Sequence, residues 1–256
     1  MFSIGKPPLQ AALLTCLSVG SAAVASAQTA PQMISVRSTH HDSAHGDTNQ
    51  NSVTTSAQLT WADRNGWQPF GYLSFSQIDR SEPGQRTTTR AESFGAGVSY
   101  RTTPQISLFG VLGYSTAEAT GTDAIYGAGT GMSLTLGGQI RGTITPALTL
   151  RATGAASYSR GDEDGSGGTD STNVRRLRAE LQAIARLSER QSLTVGLRGT
   201  AANVALNTRG TERLSEATLT LRHMIDDRRA ISLQLIEGIG GDARNRRISV
   251  QFDQLF

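Results

Sequence analysis

The chain ends in the stretch RRISVQFDQLF, residues 246–256. Ile248, Val250 and Phe252 alternate with Ser249, Gln251 and Asp253, and Phe256 closes the run. This period of two marks a strand with one apolar and one polar face. A soluble domain has little use for a half-apolar strand at its very end. A barrel closed in a membrane needs one. Hydrocarbon offers no water to unpaired backbone groups, so the last strand must meet the first.

The same alternation recurs upstream. ISLQLIEG sets Ile231, Leu233 and Leu235 against Ser232 and Gln234, and LTLRATGAASY, LTVGLRGTA and ATLTLRH repeat the scheme. Strands are expected near 33–40, 53–62, 68–79, 92–102, 105–116, 130–142, 146–159, 174–188, 191–203, 214–225, 229–238 and 246–256. Twelve is an even number, as a single-chain bacterial barrel requires. The links between them alternate. DDRR, SER, ITP, TP and DRNGW are short; GIGGDARN, NTRGTER, GDEDGSGGTDST, EATGTDAIYGA, SEPGQRTTTRA and HDSAHGDTNQN are long. With both termini on the periplasmic side, every short link falls inside and every long one outside.

One segment reads two ways. RRLRAELQAIARL is built of helix formers, and Leu177, Leu181 and Ile184 would share a helix face. Strict alternation of Leu177, Ala179, Leu181, Ala183, Ala185 and Leu187 favours a strand, with Ile184 turned inward.

Residues 1–27 read as a secretory signal peptide: Lys6, an apolar stretch from Leu9 to Val24, and an Ala25-Ser26-Ala27 cleavage site. The barrel then occupies 28–256. About five residues of the mature chain would precede the first strand, which disfavours an autotransporter with a passenger. Cys16 is the sole cysteine and Lys6 the sole lysine, so the mature chain has no disulfide and its basic residues are all arginine. The formal net charge of the whole chain is +3. Aromatics are sparse but placed at expected strand ends: Trp61, Trp67, Tyr100 and Phe256 at the periplasmic side, Tyr114 and Tyr158 at the external side. This is the disposition of interfacial girdles.

The signal peptide, the twelve alternating strands and the terminal Phe256 together make the chain resemble a bacterial outer-membrane β-barrel, integral to the outer membrane of a Gram-negative cell. The resemblance implies outer-membrane lipid and lipopolysaccharide as surroundings. It also implies that Phe252 and Phe256 form the signal read by the barrel-assembly machinery. Within the class, AHGDTNQN and FSQIDRS resemble the YaiO family, which is linked to surface polysaccharide. The strand number and basic lumen are similar to small oligosaccharide porins of the KdgM and NanC type.

Turning the apolar positions outward sends ten arginines inward: Arg37, Arg101, Arg141, Arg151, Arg176, Arg178, Arg186, Arg198, Arg222 and Arg247. Three acids accompany them, Glu180, Glu216 and Asp253. An Arg-lined bore concentrates anions, and the planar guanidinium suits carboxylate, phosphate and sulfate. The expected function is passage of small anionic solutes, or a part in surface-polysaccharide traffic. The alternative is a structural or adhesive barrel, its lumen plugged by loop carboxylates, acting through its external loops. Arg151 and Arg198, both mid-barrel, are the positions whose substitution should change ion selectivity.

An enzyme is not expected. His223 should face outward near the periplasmic end with no serine paired to it. His41, His45 and Asp42 form a weak metal candidate whose spacing matches no strong motif. No cofactor is implied: YGAGTGM resembles a phosphate loop superficially, and the mature chain offers no Walker lysine. No nucleic-acid partner is implied either.

Overall fold

The computed structural model describes residues 31–45, 47–121, 125–165, 168–205, 211–239 and 244–256. The expected signal peptide lies outside them. Among the described residues twelve strands run in chain order: β1 (Met33–His45), β2 (Thr48–Thr60), β3 (Trp67–Glu82), β4 (Gln85–Arg101), β5 (Ile106–Gly121), β6 (Ile125–Thr145), β7 (Leu148–Gly165), β8 (Gly168–Arg186), β9 (Gln191–Ala205), β10 (Thr211–Met224), β11 (Arg229–Gly238) and β12 (Arg244–Leu255). Each pairs antiparallel with its neighbours in sequence, and β1 pairs with β12, so the sheet is a closed barrel. Closure leaves no sheet edge unpaired.

The terminal stretch does what its alternation requires. Val36 stands opposite Phe252 on the outer face, and Arg37 stands opposite Gln251 on the inner face. The segment 174–188 is strand within β8, and Ile184 pairs with Thr149 and Thr194 on the inward side.

The partition of side chains is inside-out. Leu112, Leu136, Leu181 and Leu197 are all more than half exposed. Meanwhile Gln182, Glu216, Thr218, Ser249 and Asp253 are buried. In water such a surface would be a gross liability. In hydrocarbon it is the stable arrangement. Rings mark both edges of the apolar band. At the end that carries the chain termini, Trp67 and Tyr100 pack with centroids 4.4 Å apart. Towards the other end, Phe94 and Tyr114 pack at 5.3 Å. By the general rule for such barrels the terminal end is periplasmic.

The external ends differ from expectation. The segments expected as long loops are largely continuations of strands. β1 runs on to His45 and β2 starts at Thr48, so most of HDSAHGDTNQN is a hairpin stem. Pro83 and Gly84 alone separate β3 from β4. Likewise β7 and β8 extend to Gly165 and from Gly168. The reason is physical. Above the membrane both faces of a hairpin are wet, so the ladder continues without any apolar alternation to betray it. At the periplasmic end, the turn between β2 and β3 puts Asn65 (φ 55°) and Gly66 (φ 84°) in the left-handed region, the type I′ chemistry of a tight hairpin.

Candidate functional site: the lumen wall

The inner face has two unlike halves. Their character follows from strand parity, because every second residue of each strand points into the lumen.

From β7 round to β12 and β1 the wall is charged. Glu216 of β10 is 1% exposed. Arg198 Nη1 reaches it at 3.4 Å, Asn245 Nδ2 donates to it at 3.4 Å, and Arg247 also pairs with it. Arg198 turns its Nε to Glu180 at 3.2 Å, and Arg178 pairs with the same carboxylate at 2.9 Å. The result is a chain of alternating charge across four strands, Arg178–Glu180–Arg198–Glu216–Arg247. Lower in the barrel Arg222 pairs with Asp253 at 2.9 Å, and Ser35 donates to that carboxylate at 2.7 Å. Arg198 is therefore fully engaged by two acids. Its charge is neutralised, whereas Arg151 is held differently.

Arg151 donates from Nε to the amide oxygen of Gln182 at 2.8 Å. Gln182 in turn donates to Glu180, two residues away. The arrangement recurs on the other side of the barrel. Arg37 donates from Nε to Gln251 at 2.9 Å, and Gln251 donates to Asp253, two residues away, at 2.7 Å. In both places a neutral amide fixes the guanidinium in orientation without cancelling its charge. Arg141 and Arg151 also stand directly opposite each other in the β6–β7 register. Among the described residues no carboxylate pairs with Arg141, Arg176 or Arg186. Arg101 is at the periplasmic rim, bound to Asp63 of the β2–β3 turn at 3.2 Å.

The opposite half, on β3 to β6, is mostly aromatic and small, with Arg141 of β6 at its border with β7. Phe70, Tyr72 and Phe109 point inward, each lying over a glycine of a neighbouring strand. A Cβ on Gly95 would sit 2.5 Å from Tyr72 Cε1; one on Gly97 would be 2.8 Å from Phe70 Cε2, and one on Gly137 2.9 Å from Phe109 Cε1. Arg-centred reading of the sequence misses these three rings. The available signal was Gly95, Gly97 and Gly137 at inward parity, spaces that a neighbouring strand must fill. Hydroxyls complete this side: Ser74 and Ser93 at 2.6 Å, Thr54 and Ser76 at 2.9 Å.

The remaining expected residues are easily placed. His41 faces inward and hydrogen-bonds Asn245 at 2.9 Å, while Asp42, the next residue on the strand, faces outward opposite Arg246. The two sides of the sheet separate them, so they cannot share an ion. The side chain of His45 lies outside the described set. Among the described residues no cluster of three metal-ligating side chains occurs. His223 pairs with Gln191 and Ile231 near the periplasmic end. Phe252 is on the outer face, and the backbone N–H of Phe256 donates to Gln32 at 3.0 Å.

No protein-family model matches the chain, and no curated protein matches it in sequence. Solved structures do match. The β domain of the Bordetella autotransporter BrkA superposes with a TM-score of 0.74, covering 88% of this chain and 100% of that chain at 14% identity. The translocator domain of the autotransporter NalP from Neisseria meningitidis gives 0.71, covering 96% of each chain at 14% identity. An outer membrane channel from Pseudomonas putida F1 gives 0.59, covering 88% of this chain and 94% of that chain at 14% identity. The fold is therefore that of the outer-membrane β-barrels, and the protein is an integral barrel of the bacterial outer membrane. The narrower likeness to the YaiO family has no specific support in these comparisons. Translocators and channels share this architecture, so function has to be argued from the lumen.

Proposed function

We propose that the barrel is a small pore for anionic solutes. One observation carries the reading: Arg141 and Arg151 face each other across a strand pair with no acid between them. Like charges directly opposite in a sheet are destabilising. A fold that keeps such a pair, beside an amide clamp that fixes Arg151, keeps a place for a passing anion. Arg37 and its own amide clamp supply a second such station. Low-dielectric walls strengthen the field of each.

The test is the reversal potential of the purified, refolded protein in a planar bilayer under a salt gradient. Clear anion preference supports the pore. A verified barrel without conductance overturns it, and favours the reading in which the ion ladder and inward rings close the lumen and the external hairpins carry the function.

A further inference from the structure

The three inward rings lie along the wall, not across the bore. Tyr72 of β3 crosses the strand beside it. A Cβ on Gly95 of β4 would sit 2.5 Å from its Cε1, and its hydroxyl lies over Gly113 of β5. Phe70 lays the tip of its ring over Gly97 of β4, and Phe109 of β5 does the same over Gly137 of β6. A side chain that reaches sideways over the next strand cannot also block the channel. The glycines give each ring room against the wall, and all three remain partly exposed to the lumen. They form an apolar floor in an otherwise polar bore.

The strand register sets the height of this floor. The row of paired residues that starts at Glu216 on β10 passes Glu180 on β8 and Gln139 on β6 and ends at Arg101, on the periplasmic rim of β4. Rows therefore descend toward the periplasm as strand number falls. For strands about 4.8 Å apart and tilted by about 40°, each step along a row is about 3 Å of height, and each residue along a strand about 2.5 Å. Arg37 shares a row with Ser56 and Ser74, and Tyr72 lies two residues below Ser74. Arg37 and Tyr72 are thus level. Arg151 is two steps along its row from Gln105, by way of Arg141, and Phe109 is four residues above Gln105. Arg151 thus stands about 4 Å below Phe109. Phe70, Gly97 and Val111 share a row, which brings Phe70 level with Phe109. The rings and the two arginines occupy one band about 10 Å high. Arg37 on β1 and Arg151 on β7 lie half-way round the barrel from each other, and the aromatic floor fills one arc between them.

The geometry points to aromatic carboxylates as the solutes of this pore, an inference that rests on the anion-pore reading. The carboxylate pairs with the guanidinium of Arg37 or Arg151, each held in orientation by an amide. The ring of the solute moves over Phe70, Tyr72 and Phe109. Apolar lining with a few fixed polar groups is what a small-molecule site requires. An inorganic anion has no use for the floor, and an uncharged ring has none for the arginines.

The test is the bi-ionic reversal potential of the refolded full-length barrel in a planar bilayer at neutral pH. Sodium acetate, benzoate and cyclohexanecarboxylate are the probes. Benzoate should be at least as permeant as the smaller acetate. It should also be about threefold more permeant than cyclohexanecarboxylate, which has the same charge and no aromatic face, as one ring–ring contact predicts. Phe70→Leu with Phe109→Leu keeps apolar bulk and should abolish that preference. Arg37→Gln with Arg151→Gln should lower the permeability of all three anions relative to sodium. Heat-shifted gel mobility checks that each variant is folded. Anion preference with benzoate passing no better than cyclohexanecarboxylate, or a preference that survives the leucine pair, overturns the aromatic solute and leaves the anion pore standing. A folded barrel that conducts no anion, or that prefers sodium, overturns the pore and the solute with it.

Discussion

Arg141 and Arg151 stand directly opposite each other on β6 and β7, both turned into the lumen. An opposed like pair costs a sheet about 0.2–1 kcal/mol, the scale of cross-strand terms. Arg141→Gln should therefore raise the stability of the barrel by that amount while lowering its anion preference severalfold. Paired urea unfolding in vesicles and reversal potentials check both halves. A loss of stability, or an unchanged reversal potential, would remove the pair from the pore model.

Arg198 should behave in the opposite way. It is held between Glu180 and Glu216, so its role is cohesion. Removing one partner of a buried charged network leaves the others uncompensated, at a cost of about 3–5 kcal/mol. Glu216→Gln strands Arg247 and leaves Arg198 with Glu180 alone, and should fall in that range by urea unfolding. Replacing Glu216, Arg198 and Arg247 together with apolar residues should recover most of the loss. A small effect of Glu216→Gln alone would show that water in the lumen screens the network.

The rings and glycines of the other wall make a third case. A methyl group on Gly97 would lie 2.8 Å from Phe70 Cε2. Gly97→Ala must push the ring into the lumen or bend the sheet, an overpacking cost of about 1–3 kcal/mol. Phe70→Leu should relieve much of that cost in the double variant. A double-mutant cycle on unfolding free energies measures the coupling, and a coupling near zero would mean that the ring does not rest on the glycine.

Much of this was legible before any coordinates. Period-2 alternation survives wherever one face meets lipid, so all twelve strands and the inward set from Arg37 to Arg247 follow from parity. Strand ends were hidden, because the stems above the membrane are wet on both faces; Asp42 to His45 and Gln85 to Arg90 carry no apolar rhythm. Pairing was hidden as well. That Arg198 meets Glu180 and Glu216 while Arg151 meets Gln182 depends on how each strand is staggered against the next. Alternation within a strand says nothing of that stagger.

Asp226, in the periplasmic turn between β10 and β11, gives a pH prediction. The Arg229 guanidinium, donating from Nε at 2.7 Å, is the main reason its carboxyl is lowered from the ordinary 3.8 to about 2. The backbone N–H groups of Arg228 and Arg229 add to this at 2.9 and 2.8 Å. A carboxyl depressed on folding stabilises the fold above its unfolded value and loses that contribution as pH falls through its folded value. The stability difference between the native chain and Asp226→Asn should therefore be constant above about pH 4. It should shrink between there and pH 2, and vanish below. The group is exposed, so the difference will be modest and will diminish in high salt. Unfolding of both proteins across this window reads it directly. A difference that persists undiminished below pH 2 would mean that the turn is held by the shape of the side chain and not by its charge.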